Sequence, residues 1–372
     1  MQLNRNLPSG NDEERASTAG AMAGLPKTMM AWTKSRAEVD GFELLEHPVP
    51  TPKQGEVLVK TLSTSVCGSD LHIWNWDEWG QQEVPLGTIT GHETCGYVVG
   101  VGDGVDTHQV GDFISVECHL ACWSCARCKE GNAHVCQEGS IFGVHSNGAF
   151  APYFTVLASS ARHNPDGLKP EHASIQDPLG NAIHTLTGGP VKDATVAIHG
   201  LGPIGLFAVD VAKRMGASMV IATDWDNSYR MDIARKLGAD LVLGKDDDVV
   251  QEILNATDGV GVDNSCEFSG AAAALSNSIK STRMGGYLNI LGVYGSEPQV
   301  PINEIVFRYL HVKGINGRRM WSTWDTMQDL LVGGELDIDS VLTHRMPWTG
   351  YKEAIALMLT GKCGKVVLDF DS

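Results

Sequence analysis

The sequence predicts an α/β protein of two domains, a largely β first half followed by a doubly wound parallel sheet. Three observations carry this expectation. The chain has 372 residues, too many for one simple core. From Met29 to about Ile175, short apolar runs such as "EVLVKTLS" and "CGYVVGVGDGV" are separated by Gly and Pro turns, the mark of many short strands. From about Asp193 to Val312, β-branched runs alternate with helical patterns, which is how a parallel sheet with crossover helices is encoded.

The segment before the first strand, residues 1–27, is polar, with Asp12, Glu13 and Glu14 in its middle. It has neither the apolar stretch of a secretion signal nor the basic character of a transit peptide, so it reads as a flexible extension. No run of about 18 apolar residues predicts a membrane span. The formal net charge of −17 repels phosphate backbones and argues against a nucleic-acid partner. The nine cysteines come without a secretory signal, so a reducing compartment, the cytoplasm, is expected.

Two cysteine constellations follow in the first half. Cys67, in "SVCGSDLH", and His92 with Glu93, in "GHE", offer a thiolate, an imidazole and a carboxylate. A mixed and incomplete set is what a catalytic zinc requires, because one position must stay open for water or substrate. Asp177, in "DPLGNAIHT", is a further candidate, against the plainer reading of a helix-capping Asp before Pro178. His119 and His184 are weaker candidates. Downstream, "CWSCARCKEGNAHVC" places Cys122, Cys125, Cys128 and Cys136 at C-x2-C-x2-C-x7-C. Four thiolates make a closed tetrahedral site suited to structural zinc. An Fe–S cluster is the competing reading, though its usual fourth ligand, three residues on and followed by Pro, is absent. A nucleic-acid finger would need basic residues, and Arg127 and Lys129 stand nearly alone.

The nucleotide-binding expectation rests on "TVAIHGLGPIGLFAVDVAKRMGA". Gly200, Gly202 and Gly205 fit G-x-G-x-x-G between a β-branched run and an amphipathic helix. The first glycine permits the tight turn, the second admits a pyrophosphate, and the third lets helix and strand pack closely. Asp224 ends the next strand, nineteen residues after Gly205. There it can accept bonds from both adenosine ribose hydroxyls and repel a 2′-phosphate, which favours NAD over NADP. Arg230 either faces the adenine or lies on an exposed helix. Strands are expected at 195–199, 219–223, 241–243, 262–266, 287–291 and 311–315. Past Gly317 the chain turns helical and closes with "GKVVLDF", a strand expected to pack back on the first half.

In this order the motifs resemble those of the zinc-dependent medium-chain dehydrogenase/reductase superfamily over about residues 28–372. Within it, "SVCGSDLHIWNWDEWGQ", "GHETCGYVVGVG", "DPLGNAIHT" and "GINGRRMWSTWDTM" resemble the L-threonine 3-dehydrogenase branch. The resemblance implies a GroES-like catalytic domain at 28–178, with a structural zinc lobe at about 118–138. A Rossmann NAD-binding domain at 179–316 and a C-terminal return at 317–372 complete it. It implies catalytic zinc on Cys67, His92 and Glu93 with Asp177 nearby, a proton relay through Ser69 and His72, and structural zinc on the four clustered cysteines. Ile204, Asp224, Arg230, the turn of Leu291, Gly292 and Val293, and Ile315 with Asn316 would line the NAD site. The implied reaction oxidises L-threonine at its C3 hydroxyl to L-2-amino-3-oxobutanoate with reduction of NAD, in a homotetramer. A polyol, sugar or 2,3-butanediol dehydrogenase of the same fold is the alternative, and a non-catalytic NAD-binding zinc protein a more distant one. Ser69 stands where threonine is usual, the Asp224–Arg230 loop is one residue longer, and the N-terminal extension has no counterpart. The roles of Trp74, Trp76, Trp79, Arg318 and Arg319 stay open between packing or ion pairs and contacts in the site.

Overall fold

The computed structural model describes residues 24–370. Most of the expected N-terminal extension lies outside them. In chain order the first half contains β1 (Thr28–Lys34), β2 (Phe42–Pro48), β3 (Glu56–Val66), β4 (Thr88–Ile89), β5 (Glu93–Val101), β6 (Phe113–Val116), β7 (His119–Leu120), β8 (Ser140–Ile141), β9 (Tyr153–Leu157) and β10 (Ala161–His163). The second half adds β11 (Thr195–His199), β12 (Met219–Thr223), β13 (Leu241–Leu243), β14 (Val262–Glu267), β15 (Thr282–Ile290) and β16 (His311–Gly314). The chain ends in β17 (Leu342–Pro347) and β18 (Lys365–Asp369).

The first half is built around β3. Its eleven residues are buried except at the first position and at Lys60, because neighbours cover both faces and both edges. The sheet runs β10-β6-β5-β3-β18-β17, and β9 pairs with the first part of β3. Here β18, from the far end of the chain, lies antiparallel to β3 with Val366 opposite Val66. Val366, Leu368 and Tyr351 of the C-terminal segment share a core with Trp32, Phe42 and Phe150. The last strand is therefore interior to the first half rather than appended to it.

The second sheet is parallel, in the order β13-β12-β11-β14-β15-β16. Strands β11 and β12 are apolar and buried along their length, as a strand covered by helices on both faces must be. The order reverses between β11 and β14, and ligands bind at that kind of switch point, outside the carboxyl ends of the strands. Strand positions match the sequence expectation except that β15 begins at Thr282 rather than near 287. Gly285, with φ of +68°, and Gly286 interrupt the apolar pattern there and hide the strand's first half. Helix Gln176–Leu186 is buried on nearly every side, joins the two sheets, and packs on helices Pro203–Arg214 and Ser322–Val332.

If β18 is integral to the first half, Leu368→Ala lowers the unfolding free energy by about 2–5 kcal/mol. Urea denaturation checks this; a loss under 1 kcal/mol would mean that the strand is peripheral.

Candidate active site

The pairing of β3 with β5 sets Ser65 opposite Glu93. Cys67, just beyond β3, and His92, just before β5, are brought together by that register. The structure gathers Cys67 Sγ, a nitrogen of His92 and an oxygen of Glu93 so that all lie within 4.8 Å of one another. Cys67 caps helix Gly68–Asn75, and its amide donates to the buried Asp70 carboxylate at 2.8 Å, which fixes the turn. Burial pushes Asp70 up to about 6, against the pull of His92 and the Cys67 amide. His92 follows Gly91, whose φ of +93° and contact with the Phe150 ring leave no room for a Cβ.

These residues fit a zinc ion. Donors on one tetrahedral zinc lie about 3.3–3.8 Å apart, within the span seen here. Glu93 is fully buried; Oε2 is held by Ser65 and by Lys365, and Oε1 has no hydrogen-bond partner. Burial disfavours protonated His92, yet the Cys67 sulfur, Asp70 and Glu93 together push its pKa up to about 10. A pocket that would hold an imidazolium so firmly is one that attracts a cation.

Ser69 Oγ lies 3.4 Å from His92 Nε2, and His72 follows one turn later on the same face of helix Gly68–Asn75. His72 Nδ1 is bonded to Asp77 Oδ2 at 2.5 Å while its side chain stays half exposed. That leaves Nε2 toward solvent access and fixes which nitrogen carries the proton. Trp79 meets the His72 ring edge-on, and Trp74 packs on Phe42 and Tyr351. Trp79 thus packs against His72, and Trp74 belongs to the core behind it.

Asp177 is not gathered with the other donors. It sits in the first turn of helix Gln176–Leu186 and pairs with Arg318 at 2.7 Å. The fully buried Arg318 also reaches Glu117 at 2.5 Å, and Glu117 accepts from Trp324 Nε1 at 2.8 Å. Burial works against the Glu117 carboxylate, but the Arg318 charge, with His119 and Trp324, holds it down to about 2. Asp177 thus has a guanidinium as its direct partner, where the family resemblance implies a position near the catalytic zinc. His119 belongs to the Glu117–Arg318 group, and His184 donates Nδ1–H to the carbonyl of Gly317 at 2.9 Å. Neither joins Cys67, His92 and Glu93. Sequence reasoning missed Lys365, Glu117 and Asp77. A charged residue opening the apolar run "KVVLDF" was the available signal for Lys365; Glu117 had none.

The four cysteines of the lobe form a second cluster. Sulfur separations of 3.5 Å (Cys125–Cys128), 3.8 Å (Cys125–Cys136) and 3.4 Å (Cys122–Cys136) approach the edge of a tetrahedron with ~2.3 Å bonds. The amides of Ser124 and Cys125 point at Cys122 Sγ. With the Ser124 hydroxyl they pull Cys122 down to about 6, whereas burial and the adjacent thiols push Cys128 up to about 12. Four thiolates this close need a dication to coexist, and the all-sulfur tetrahedron suits zinc. The lobe packs Cys128, Ala133 and Ala121 on Met320, next to Arg318.

The nucleotide crevice lies at the carboxyl ends of the parallel strands. Gly200 has φ of +97°, and a Cβ on Gly205 would sit 1.9 Å from the Gly200 carbonyl oxygen. A Cβ on Gly202 would meet nothing within 4 Å, which leaves an open cradle where helix Pro203–Arg214 points its amino end. Ile204 follows in the first turn of that helix. Asp224 accepts from the amides of Leu201 and Trp225 at 3.0 and 2.7 Å, so its carboxylate is fixed at the end of β12. The amides of Leu291 and Gly292 both donate to the Glu267 carbonyl, which brings the 291–293 turn beside β14. Ile315 bonds back to Ile290, and Asn316 is exposed beyond it. These residues share one rim. Arg230 differs: its Nε donates to the Cys363 carbonyl at 2.8 Å, tying helix Ser228–Lys236 to the C-terminal segment.

This geometry has counterparts. The zinc-binding dehydrogenase family matches residues 203–333, and the alcohol dehydrogenase GroES-like domain matches residues 53–166. An L-threonine 3-dehydrogenase of Pyrococcus furiosus is 44% identical over 345 residues, covering 92% of this chain and 99% of its own length. The chain belongs to the zinc-dependent medium-chain dehydrogenase/reductase superfamily. A Bacillus subtilis L-threonine 3-dehydrogenase is 40% identical over 334 residues, with 88% and 95% covered. Among solved structures, an alcohol dehydrogenase from Thermus sp. ATN1 superposes with a TM-score of 0.85 at 28% identity, covering 92% of this chain and 99% of that one. A 2R,3R-butanediol dehydrogenase from Bacillus subtilis does so at 0.83 and 26%, with 92% and 99% covered. The α/β fold, a GroES-like domain joined to a Rossmann-type parallel sheet, is that of the superfamily. No described helix is long and apolar enough to cross a membrane.

The Arg318 network yields two predictions. Arg318→Met leaves Glu117 and Asp177 buried without a counter-charge and lowers stability by about 3–5 kcal/mol in urea denaturation. Because the Glu117 pKa is lowered on folding, its stabilisation is complete above its ordinary value of 4.5 and is lost as pH falls toward about 2. Glu117→Gln should therefore flatten the acid limb of the stability curve between those values; an unchanged slope there contradicts the assignment.

Proposed function

We propose that this protein oxidises L-threonine at its C3 hydroxyl, with NAD as hydride acceptor, giving L-2-amino-3-oxobutanoate and NADH. The observation that carries the reading is the Cys67–His92–Glu93 donor set with Ser69 beside it, in a chain 44% identical to an L-threonine 3-dehydrogenase over nearly its full length. Zinc on these residues would supply Lewis acidity toward the substrate hydroxyl, and a nicotinamide in the adjacent crevice would supply the hydride-accepting carbon.

The chain's own residues do the rest. Lys365 and Ser65 hold Glu93 Oε2 and so aim the other carboxylate oxygen into the pocket. Asp70 fixes the Cys67 turn. Ser69 Oγ, beside His92, would accept the hydroxyl proton while giving up its own, and His72, oriented by Asp77 and half exposed, would release a proton to solvent. Asp224 would accept from the adenosine ribose and disfavour a 2′-phosphate. Ile204, the Leu291–Val293 turn, Ile315 and Asn316 would flank the dinucleotide, and Arg230 would support the adenosine side through its tie to Cys363. Asp177 would orient the substrate side of the pocket with Arg318.

The assembly we infer is a cytoplasmic homotetramer. Support comes from β16, the sheet edge, which is exposed throughout, with Phe307 and Tyr309 about three-quarters exposed next to it. Light scattering should give a mass near four times the 40.0 kDa chain.

The test is NADH formation by zinc-loaded protein with L-threonine, D-threonine, L-serine, 2,3-butanediol, sorbitol and glucose. L-threonine with NAD should give the highest kcat/KM; a higher value for a polyol would replace the substrate while keeping the hydride chemistry. Cys67→Ser should abolish turnover with NAD binding retained. Asp224→Ala should raise the KM for NAD and narrow its margin over NADP; an unchanged ratio would remove Asp224 from the ribose contact.

A further inference from the structure

Glu267, the last residue of β14, has no exposed surface and sits behind the wall of the nucleotide crevice. It lies opposite His199 of β11 on one side and Ile290 of β15 on the other. Those two strands run directly into the glycine-rich turn and the Leu291–Val293 turn. Four uncharged donors hold the carboxylate. The Ser269 amide, the Ser269 hydroxyl and the Gly270 amide reach Oε1 at 2.7, 2.5 and 3.0 Å, and the Tyr294 hydroxyl reaches Oε2 at 2.8 Å. Burial and the Glu267 charge push the Tyr294 pKa up, so Tyr294 keeps its proton and donates it. Among the described residues no cation pairs with Glu267. Of the three glutamates without exposed surface among those residues, the other two are neutralised, Glu93 by Lys365 and Glu117 by Arg318. His199 supplies no counter-charge, because burial pushes it down to about 4 and leaves it neutral near pH 7. Folding thus places an anion with no cation beside it in a dry wall, which is costly unless something else supplies positive charge.

The carboxylate lies against both turns. A Cβ on Gly292 would sit 2.4 Å from Glu267 Oε2, and one on Gly270 would sit 2.1 Å from the Val293 carbonyl oxygen. On the other side Ser269 packs on Gly200, where a Cβ would come within 2.7 Å of the serine Cβ. A dinucleotide crosses this edge of the sheet at the switch point. Asp224, at the end of β12, marks the adenosine end, and the glycine-rich turn after β11 takes the pyrophosphate. The strands beyond the pyrophosphate are β14 and β15, so the nicotinamide half falls over the turns that Glu267 holds. The two cofactor forms differ there by one charge: the oxidised nicotinamide ring is a cation and the reduced ring is neutral.

We propose that Glu267 determines which oxidation state of the cofactor this protein prefers, its buried unpaired charge stabilising the cationic ring of NAD over the neutral ring of NADH. The inference rests on the NAD half of the reading above and not on the identity of the alcohol. A charge in a low-dielectric wall acts on the ring without touching it. Once hydride has neutralised the ring, that attraction is gone. The carboxylate that draws in the oxidised cofactor therefore lets the reduced one leave.

Titration calorimetry of the zinc-loaded protein with NAD and with NADH, without alcohol, reads the effect as a ratio of two dissociation constants. Glu267→Gln keeps the shape and removes the charge. It should weaken NAD relative to NADH by about threefold or more. An equal loss for both forms would make Glu267 a purely structural residue and overturn the proposal. Tyr294→Phe loosens the same turn but leaves the charge, so both forms should weaken alike at the wild-type ratio. A ratio that falls as in Glu267→Gln would count against the charge. Val293→Lys, on the exposed side of that turn, tests the idea even if Glu267→Gln fails to fold. Its ammonium opposes the carboxylate's field and should also weaken NAD relative to NADH by about threefold or more. An unchanged ratio there puts the nicotinamide outside the field of this wall and overturns the proposal. Failure of the wild-type protein to bind either form would instead remove the NAD reading, and the proposal with it.

Discussion

The register of β3 against β5, with Ser65 facing Glu93, is the constraint on which the rest of the site depends. It converts two motifs separated by some twenty-five residues into one donor cluster. A shift of one residue would send Glu93 to the other face and remove the carboxylate from the pocket. The register is itself held from a third direction. Lys365, at the start of β18, reaches both the Glu93 carboxylate and the Val66 carbonyl, so the end of the chain locks the two strands that carry the ligands. Burial disfavours the Lys365 charge, but Glu93 and Cys67 keep it in place.

Electrostatics then divides the molecule into compartments. The donor pocket is acidic enough to recruit a cation. Next to it, Arg318 neutralises two buried carboxylates and is carried by the 317–324 segment, whose Met320 packs on the zinc lobe. The lobe is thereby part of the wall of the active domain, which explains why a short loop is stapled by four thiolates rather than left free. A closed all-sulfur site gives rigidity, and an open mixed site gives reactivity.

Much of this was legible in the sequence. The glycine turn, Asp224 and the parallel strands were readable because each is local: a β-branched run, a turn and a helix within thirty residues. The four cysteines were readable from spacing alone. Cys67, His92 and Glu93 were readable as donor types, though their convergence depends on strand pairing. What stayed hidden was long-range. Nothing in the spacing of Asp177 shows that Arg318, over a hundred positions later, takes its carboxylate, and nothing near Arg230 points to the Cys363 carbonyl. The Asp77 partner of His72 was within reach, five residues on, but the tryptophans around it drew the reading, and their roles stayed open between packing and contacts in the site. Buried ion pairs join distant segments and leave no period in the chain.

The central claim is that β3 and β5 assemble a metal centre distinct from the cysteine lobe. Metal analysis of the purified wild-type protein and of Cys67→Ser after zinc loading tests it most directly. Two zinc ions per chain in the wild type and one in Cys67→Ser are predicted. The same zinc content in both would contradict the account.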